Sequence, residues 1–148
     1  MFYFFKYFLI NLCTLYACRK TMHIQNLSSV QALFCILSAS ALSGISCIMR
    51  SFFHFAVIPL TMIMLILFNK YIWKISFTQS ASNTVAGFCI NYSIYAFSAF
   101  GCALLFAFLF IDATGHHIIF DCIPLFIQCI LVFLLFKIKR LKKGILMS

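Results

Sequence analysis

Polar residues come in short bursts along this chain, and five apolar runs lie between them: residues 2–18, 30–49, 52–68, 84–111 and 118–136. The last run reads IIFDCIPLFIQCILVFLLF. As a helix rising about 1.5 Å per residue it is roughly 28 Å long, close to the thickness of a bilayer core. The fourth run is longer than a crossing requires, so it should tilt or extend beyond the lipid. Pro59 lies inside the third run, which a membrane helix tolerates with a kink. The pattern predicts an all-α, polytopic transmembrane bundle of about five spans. It forms one domain over 1–136, followed by a basic cytoplasmic tail over 137–148.

The polar bursts orient these spans. The fifth run stops at Lys137, Lys139, Arg140, Lys142 and Lys143. An apolar span followed by such a cluster is a stop-transfer pattern, and its basic side stays in the cytoplasm. Alternation then puts Arg19 and Lys20 inside, together with Lys70 and Lys74 of the predicted loop 69–83. Lys6 and the tight turn at Arg50 and Ser51 lie outside. The turn at 112–117 lies outside and has no cation, with Gly115 as its breaker. Lys and Arg in short loops set orientation, so the expectation is N-terminus outside and C-terminus inside. Tyr71 and Trp73 are placed as interfacial anchors. The first run has a second reading as a signal peptide, because Leu15-Tyr16-Ala17-Cys18 is like a lipoprotein cleavage box. However, Arg19 and Lys20 after the run oppose export of the chain beyond them, which favours a retained helix.

Composition narrows the class. Of 148 residues, 65% are hydrophobic and 9% are charged, against about 25% charged in soluble domains. That is too little polar surface for water on all sides. The charge of +9 comes from 11 Lys and Arg against two acids. Its position at the ends of apolar runs points to topology and anionic headgroups, not to nucleic acid. The eight cysteines include no CxxC pair, and all but Cys18 lie within apolar runs. They read as small free thiols in helices, not as a secreted disulfide framework.

Two stretches carry candidate chemistry. In the fourth run Asn83, Gly87, Asn91, Tyr95, Ser98 and Cys102 recur at steps of three or four, which keeps them near one helix face. Amides and hydroxyls are costly against lipid, so this face should meet other helices. It reads as a packing seam or as a ligand-facing groove, with Phe88, Phe106 and Phe110 left to lipid. In the second run Ser40 with Gly44, and Ala39 with Ser43, allow close backbone approach. The other stretch is DATGHHIIFDC, residues 112–122. It holds Asp112, His116, His117 and Asp121 beside Cys122. His, Asp and Cys can ligate zinc, but adjacent histidines on a short turn converge poorly on one ion. The plainer reading is a polar outer turn. No cofactor or metal is expected.

The stretch SASNTVAGFCINYSIYAFSAFGCALLFAFLF (80–110) resembles the middle membrane helix of GHKL-type sensor histidine kinases, the agr-like peptide-pheromone receptors. The ending LLFKIKRLKKGILMS (134–148) is similar to the basic stretch that follows the next helix in that family. The likeness covers about 50–148 and is one of composition. It implies a signal-sensing input module, with a peptide ligand and either a homodimer or a separate kinase as partner. The family's dimerisation helix, its phospho-accepting His and its nucleotide-binding motifs are not in this chain. No catalytic role is therefore carried over, and no enzymatic activity is expected. An alternative is a membrane cysteine peptidase using Cys122 and His116, which loosely resembles pheromone-processing enzymes. That family's double glycine before the His is missing, and the predicted turn lies outside while those enzymes act from the cytoplasm. A small transporter-like subunit is a third reading. Transporters place ionisable residues deep in their spans, and none lies deep here.

Overall fold

The structure, a computed structural model, describes residues 2–22, 27–109 and 117–137. They form five α-helices: α1 (Phe2–Thr21), α2 (Ser29–Phe52), α3 (Val57–Trp73), α4 (Phe77–Phe108) and α5 (His117–Lys137), with a 3₁₀ turn at His54–Ala56 before α3. By length and composition, α2 and α4 are long and apolar enough to cross a membrane, and α3 is a shorter apolar helix. The all-α expectation therefore holds.

The helix ends depart from the apolar runs, and local chemistry explains where. Ser28 accepts a hydrogen bond from the Gln31 amide at 3.2 Å, and the Gln31 side chain accepts one from the Ser28 amide at 3.2 Å. This reciprocal capping box satisfies two otherwise unpaired donors and starts α2 at Ser29. Ser76 caps α4 with its side chain, accepting from the Gln79 amide at 3.3 Å. The predicted loop 69–83 is thus mostly helix. Its first residues complete α3, its last ones begin α4, and the true connection is only Lys74 to Ser76. Lys74 adopts a left-handed backbone, φ 52°, and its amide bonds the Lys70 carbonyl, closing α3 in a conformation that usually takes glycine. The predicted turn at Arg50 and Ser51 is also helical, and the chain reverses one step later, through Phe53 and the 3₁₀ turn. Pro59 is the third residue of α3. A first helical turn has spare donors in any case, so the proline costs no ladder bond there and the expected kink has no cause. The turn at 112–116 and the tail from 138 lie outside the described residues.

Side-chain contacts fix the helix directions. Asn91 of α4 meets Thr14 of α1, and Lys6 sits over the Tyr95 ring, so α1 and α4 run antiparallel. Arg50 stacks on Tyr3, which makes α2 antiparallel to α1. Cys13 meets Cys129 and Lys6 pairs with Asp121, so α5 runs parallel to α1. α1 and α4 form the central pair, with α2 and α3 on one flank and α5 on the other. Leu15, Ala39, Leu42 and Leu65 make a buried cluster between α1, α2 and α3. Ala17, Val132 and Phe136 make a second between α1 and α5.

Beside these apolar clusters, burial is inverted at several positions relative to a water-soluble bundle. Asn69, Thr84 and Asn91 are fully enclosed and Gln128 is nearly so, while Phe55, Phe97, Phe108 and Ile130 are largely exposed. At Gly87, α4 approaches α1 closely. A Cβ on Gly87 would lie 2.6 Å from Cys18 Sγ and 3.0 Å from the Cys18 backbone nitrogen. No side chain fits between them, so Gly87 sets the spacing of the central pair. Gly87→Ala is expected to cost about 2 kcal/mol by overpacking, measured by reversible unfolding in mixed micelles. Adding Cys18→Ala should restore only part of it, because the backbone contact persists. An unchanged midpoint for Gly87→Ala would show that the helices are not in close contact there.

Candidate functional site

A polar layer crosses the middle of the bundle and has one possible polarity. The Ile10 carbonyl can only accept. Asn91 Nδ2 donates to it at 3.1 Å and to Thr14 Oγ1 at 2.9 Å, while Thr14 Oγ1 itself donates to the Ile10 carbonyl at 2.9 Å. Asn91 is thereby turned so that Oδ1 faces α5, where Gln128 Nε2 donates to it at 2.6 Å. Each amide orientation follows from the one before it, ending at a backbone carbonyl that cannot be reversed. The far atom of the chain, Gln128 Oε1, is buried without a hydrogen-bond partner among the described residues. Beside the layer, Asn11 Nδ2 reaches Ser43 Oγ of α2 at 3.5 Å, and Cys13 and Cys129 sulfurs lie 3.5 Å apart.

A second polar knot ties α3 to α4. Trp73 Nε1 donates to Asn69 Oδ1 at 3.1 Å, Asn69 Nδ2 donates to Thr84 Oγ1 at 2.9 Å, and Ser80 donates to the Ile66 carbonyl at 2.5 Å. Trp73 is therefore buried against protein, which corrects its expected role as an exposed interfacial anchor. Tyr71 is well exposed.

Of the residues on the predicted face of α4, Gly87, Asn91, Ser98 and Cys102 are buried, and Asn83 and Tyr95 are half-buried. Ser80 and Thr84 complete the buried stripe, so the face is rotated slightly at its start. Phe88 is half-buried and stacks on Tyr92, with ring centroids 4.2 Å apart. Phe106 is half-buried too, and Phe110 is outside the described residues. Ser98 and Cys102 line a groove of about 440 Å³ between α4 and α5, walled by Gly101, Phe97, Leu105, Phe106, Ile123, Ile127 and Leu131. That volume is within the range of small-ligand sites.

Of the outer-turn residues, Asp112 and His116 are outside the described residues and His117 opens α5. Asp121 pairs with Lys6 at 3.5 Å, and the same ammonium is 5.7 Å from the Tyr95 ring. The structure thus brings Tyr95 and Asp121 together through a cation of α1. Cys122 is half-buried in α5. Among the described residues, no three of His, Cys, Asp and Glu gather as a metal site would require.

Sequence reasoning missed Thr14, Asn69, Thr84 and Gln128. Thr14 and Gln128 lie within apolar runs, and Asn69 and Thr84 at the ends of two others. The signal was present, because an isolated amide in such a run needs a partner on another helix. The chain matches no family model, no curated protein and no solved structure.

The layer's contribution is measurable by a double-mutant cycle. Asn91→Leu removes three side-chain hydrogen bonds and leaves Gln128 Nε2 only its 3.4 Å bond to the backbone carbonyl of residue 91, and is expected to cost about 2 kcal/mol. Gln128→Leu should cost less, because its Oε1 is already unpartnered. The double variant should cost less than the sum of the two. Additive losses would mean that the two amides do not interact.

Proposed function

We infer that this chain is a multi-pass membrane protein in which all five helices cross the bilayer, with no catalytic activity of its own. It serves as the input module of a peptide-sensing signalling system and passes its state to a separate kinase or through a homodimer. The observation that carries the membrane part is the inverted burial: enclosed amides and hydroxyls, and large apolar side chains outside. In water such a surface would associate or aggregate, whereas in lipid it is the stable arrangement.

Charge supports the orientation. The end made by the C-termini of α1, α3 and α5 gathers Arg19, Lys20, Lys70, Lys74 and Lys137. The other end holds Lys6 and Arg50. The first end is cytoplasmic by the positive-inside rule. Reporter fusions after Ser148 and at Lys74 should report the cytoplasm, and a fusion at Gly115 the outside. The same side for Ser148 and Gly115 would remove the fifth crossing.

The sensing part rests on the groove between α4 and α5. It is apolar, suiting a hydrophobic peptide, and its wall continues into the face that carries Asn91. Occupying it would press on the contact between Asn91 and Gln128 that joins the two helices. Cys102 lines the groove and reports on it. The small-peptide fraction of the native host's spent medium is expected to slow labelling of Cys102 by a lipid-soluble maleimide several-fold, in a variant whose other cysteines are alanine. Equal labelling rates with and without peptide would remove the sensing role and leave the helix seam as packing alone.

A further inference from the structure

A second cavity, about 250 Å³, lies between α1, α2 and α3 at the cation-rich end of the bundle. Leu15, Ala32, Cys35 and Ile36 form its apolar wall, and Arg19 and Trp73 lie on its lining. We propose that it binds an anionic glycerophospholipid, with part of one acyl chain against the apolar wall and the headgroup phosphate at the Arg19 guanidinium. This rests on the membrane reading above and names a ligand which that reading does not require.

Three observations select this occupant. The wall is mostly hydrocarbon, so it suits an acyl chain. The cavity is too small for a helix, which with its side chains is about 10 Å across. Its one cationic lining residue belongs to the end of the bundle that also carries Lys20, Lys70, Lys74 and Lys137, so the local field favours an anion. Arginine's planar fork also matches two phosphate oxygens at once. A zwitterionic lipid has the same phosphate but brings a quaternary ammonium into that positive field. The site should therefore discriminate between headgroups that differ only in net charge.

Trp73 is the chain's single tryptophan, and its ring is held in place by the bond to Asn69. A brominated acyl chain entering the cavity would quench it directly. The experiment reconstitutes the full chain in vesicles with increasing mole fractions of dibromo-phosphatidylglycerol or dibromo-phosphatidylcholine. The anionic lipid is expected to half-quench Trp73 at a roughly fivefold lower mole fraction, from about one cation's worth of preference. Arg19→Gln should abolish the difference between the lipids. Ala32→Phe, which fills the cavity, should weaken quenching by both. Equal quenching by the two lipids in the unaltered chain overturns the proposal, as does a preference that survives Arg19→Gln. The comparison in the unaltered chain does not depend on any variant folding. Vesicle flotation separates the two readings: a chain that does not float with lipid defeats the membrane reading, and one that floats but shows no preference defeats the site alone.

Discussion

The Ile10 carbonyl and the Asn91 amide are the contact on which the rest of the bundle depends. A helix carbonyl that accepts from outside its own helix fixes the donor's orientation absolutely. Asn91 must then present its oxygen to α5, and Gln128 must answer with nitrogen. Three helices are registered by one acceptor that has no alternative state. Apolar packing alone would not do this, since leucine and phenylalanine faces slide past one another at small cost. Gly87 adds the complementary constraint by holding α1 and α4 so close that the amide can reach. One turn away on the same face, these two residues set distance and register for the central pair.

Legibility in the sequence divides along the same line. The stripe along α4 could be read because small and polar residues recur at helical spacing. Its start was misplaced, with Asn83 named where Thr84 is the enclosed residue, because both fit a three-or-four step. The partners across the interface could not be read this way. Gln128 stands alone in its run, so periodicity says nothing about it, and Thr14 has only Asn11, three residues before it, to mark a polar face; the demand that each enclosed polar group find a partner is what points to them. Helix ends were misjudged for another reason. Hydropathy marks where apolar side chains stop, while hydrogen bonding marks where a helix stops. Ser28 with Gln31 and Ser76 with Gln79 announce two of those ends in plain capping chemistry, and the polar character of 76–83 hid a helix start inside an apparent loop.

The arrangement of charge is a separate layer of information. Eleven cations against two acids would strain a compact soluble domain through self-repulsion. The seven cations among the described residues are split between the two ends of the bundle, and the Lys6–Asp121 pair sits at the sparser end. Arg50 lies on Tyr3 and Lys20 near Tyr16, so aromatic faces hold cations at both ends. Among the described residues charge therefore marks the boundaries of the bundle, and neutral amides and hydroxyls share its interior with buried apolar side chains.

The inverted burial has a thermodynamic consequence. When a soluble domain unfolds, apolar surface meets water, heat capacity rises, and stability follows a dome against temperature. Were these helices to lie in lipid, as proposed, Phe97 and Ile130 would stay in hydrocarbon when the helices separate, and so would the uncovered Leu15, Leu42 and Leu65, while Asn91 and Gln128 would lose their partners. Little apolar surface would then change its solvent, so the heat-capacity change would be small and stability would fall almost linearly on heating. The dome of a soluble domain would flatten. The thermal limit would then follow the enthalpy of a few enclosed amides more than the hydration of the surface.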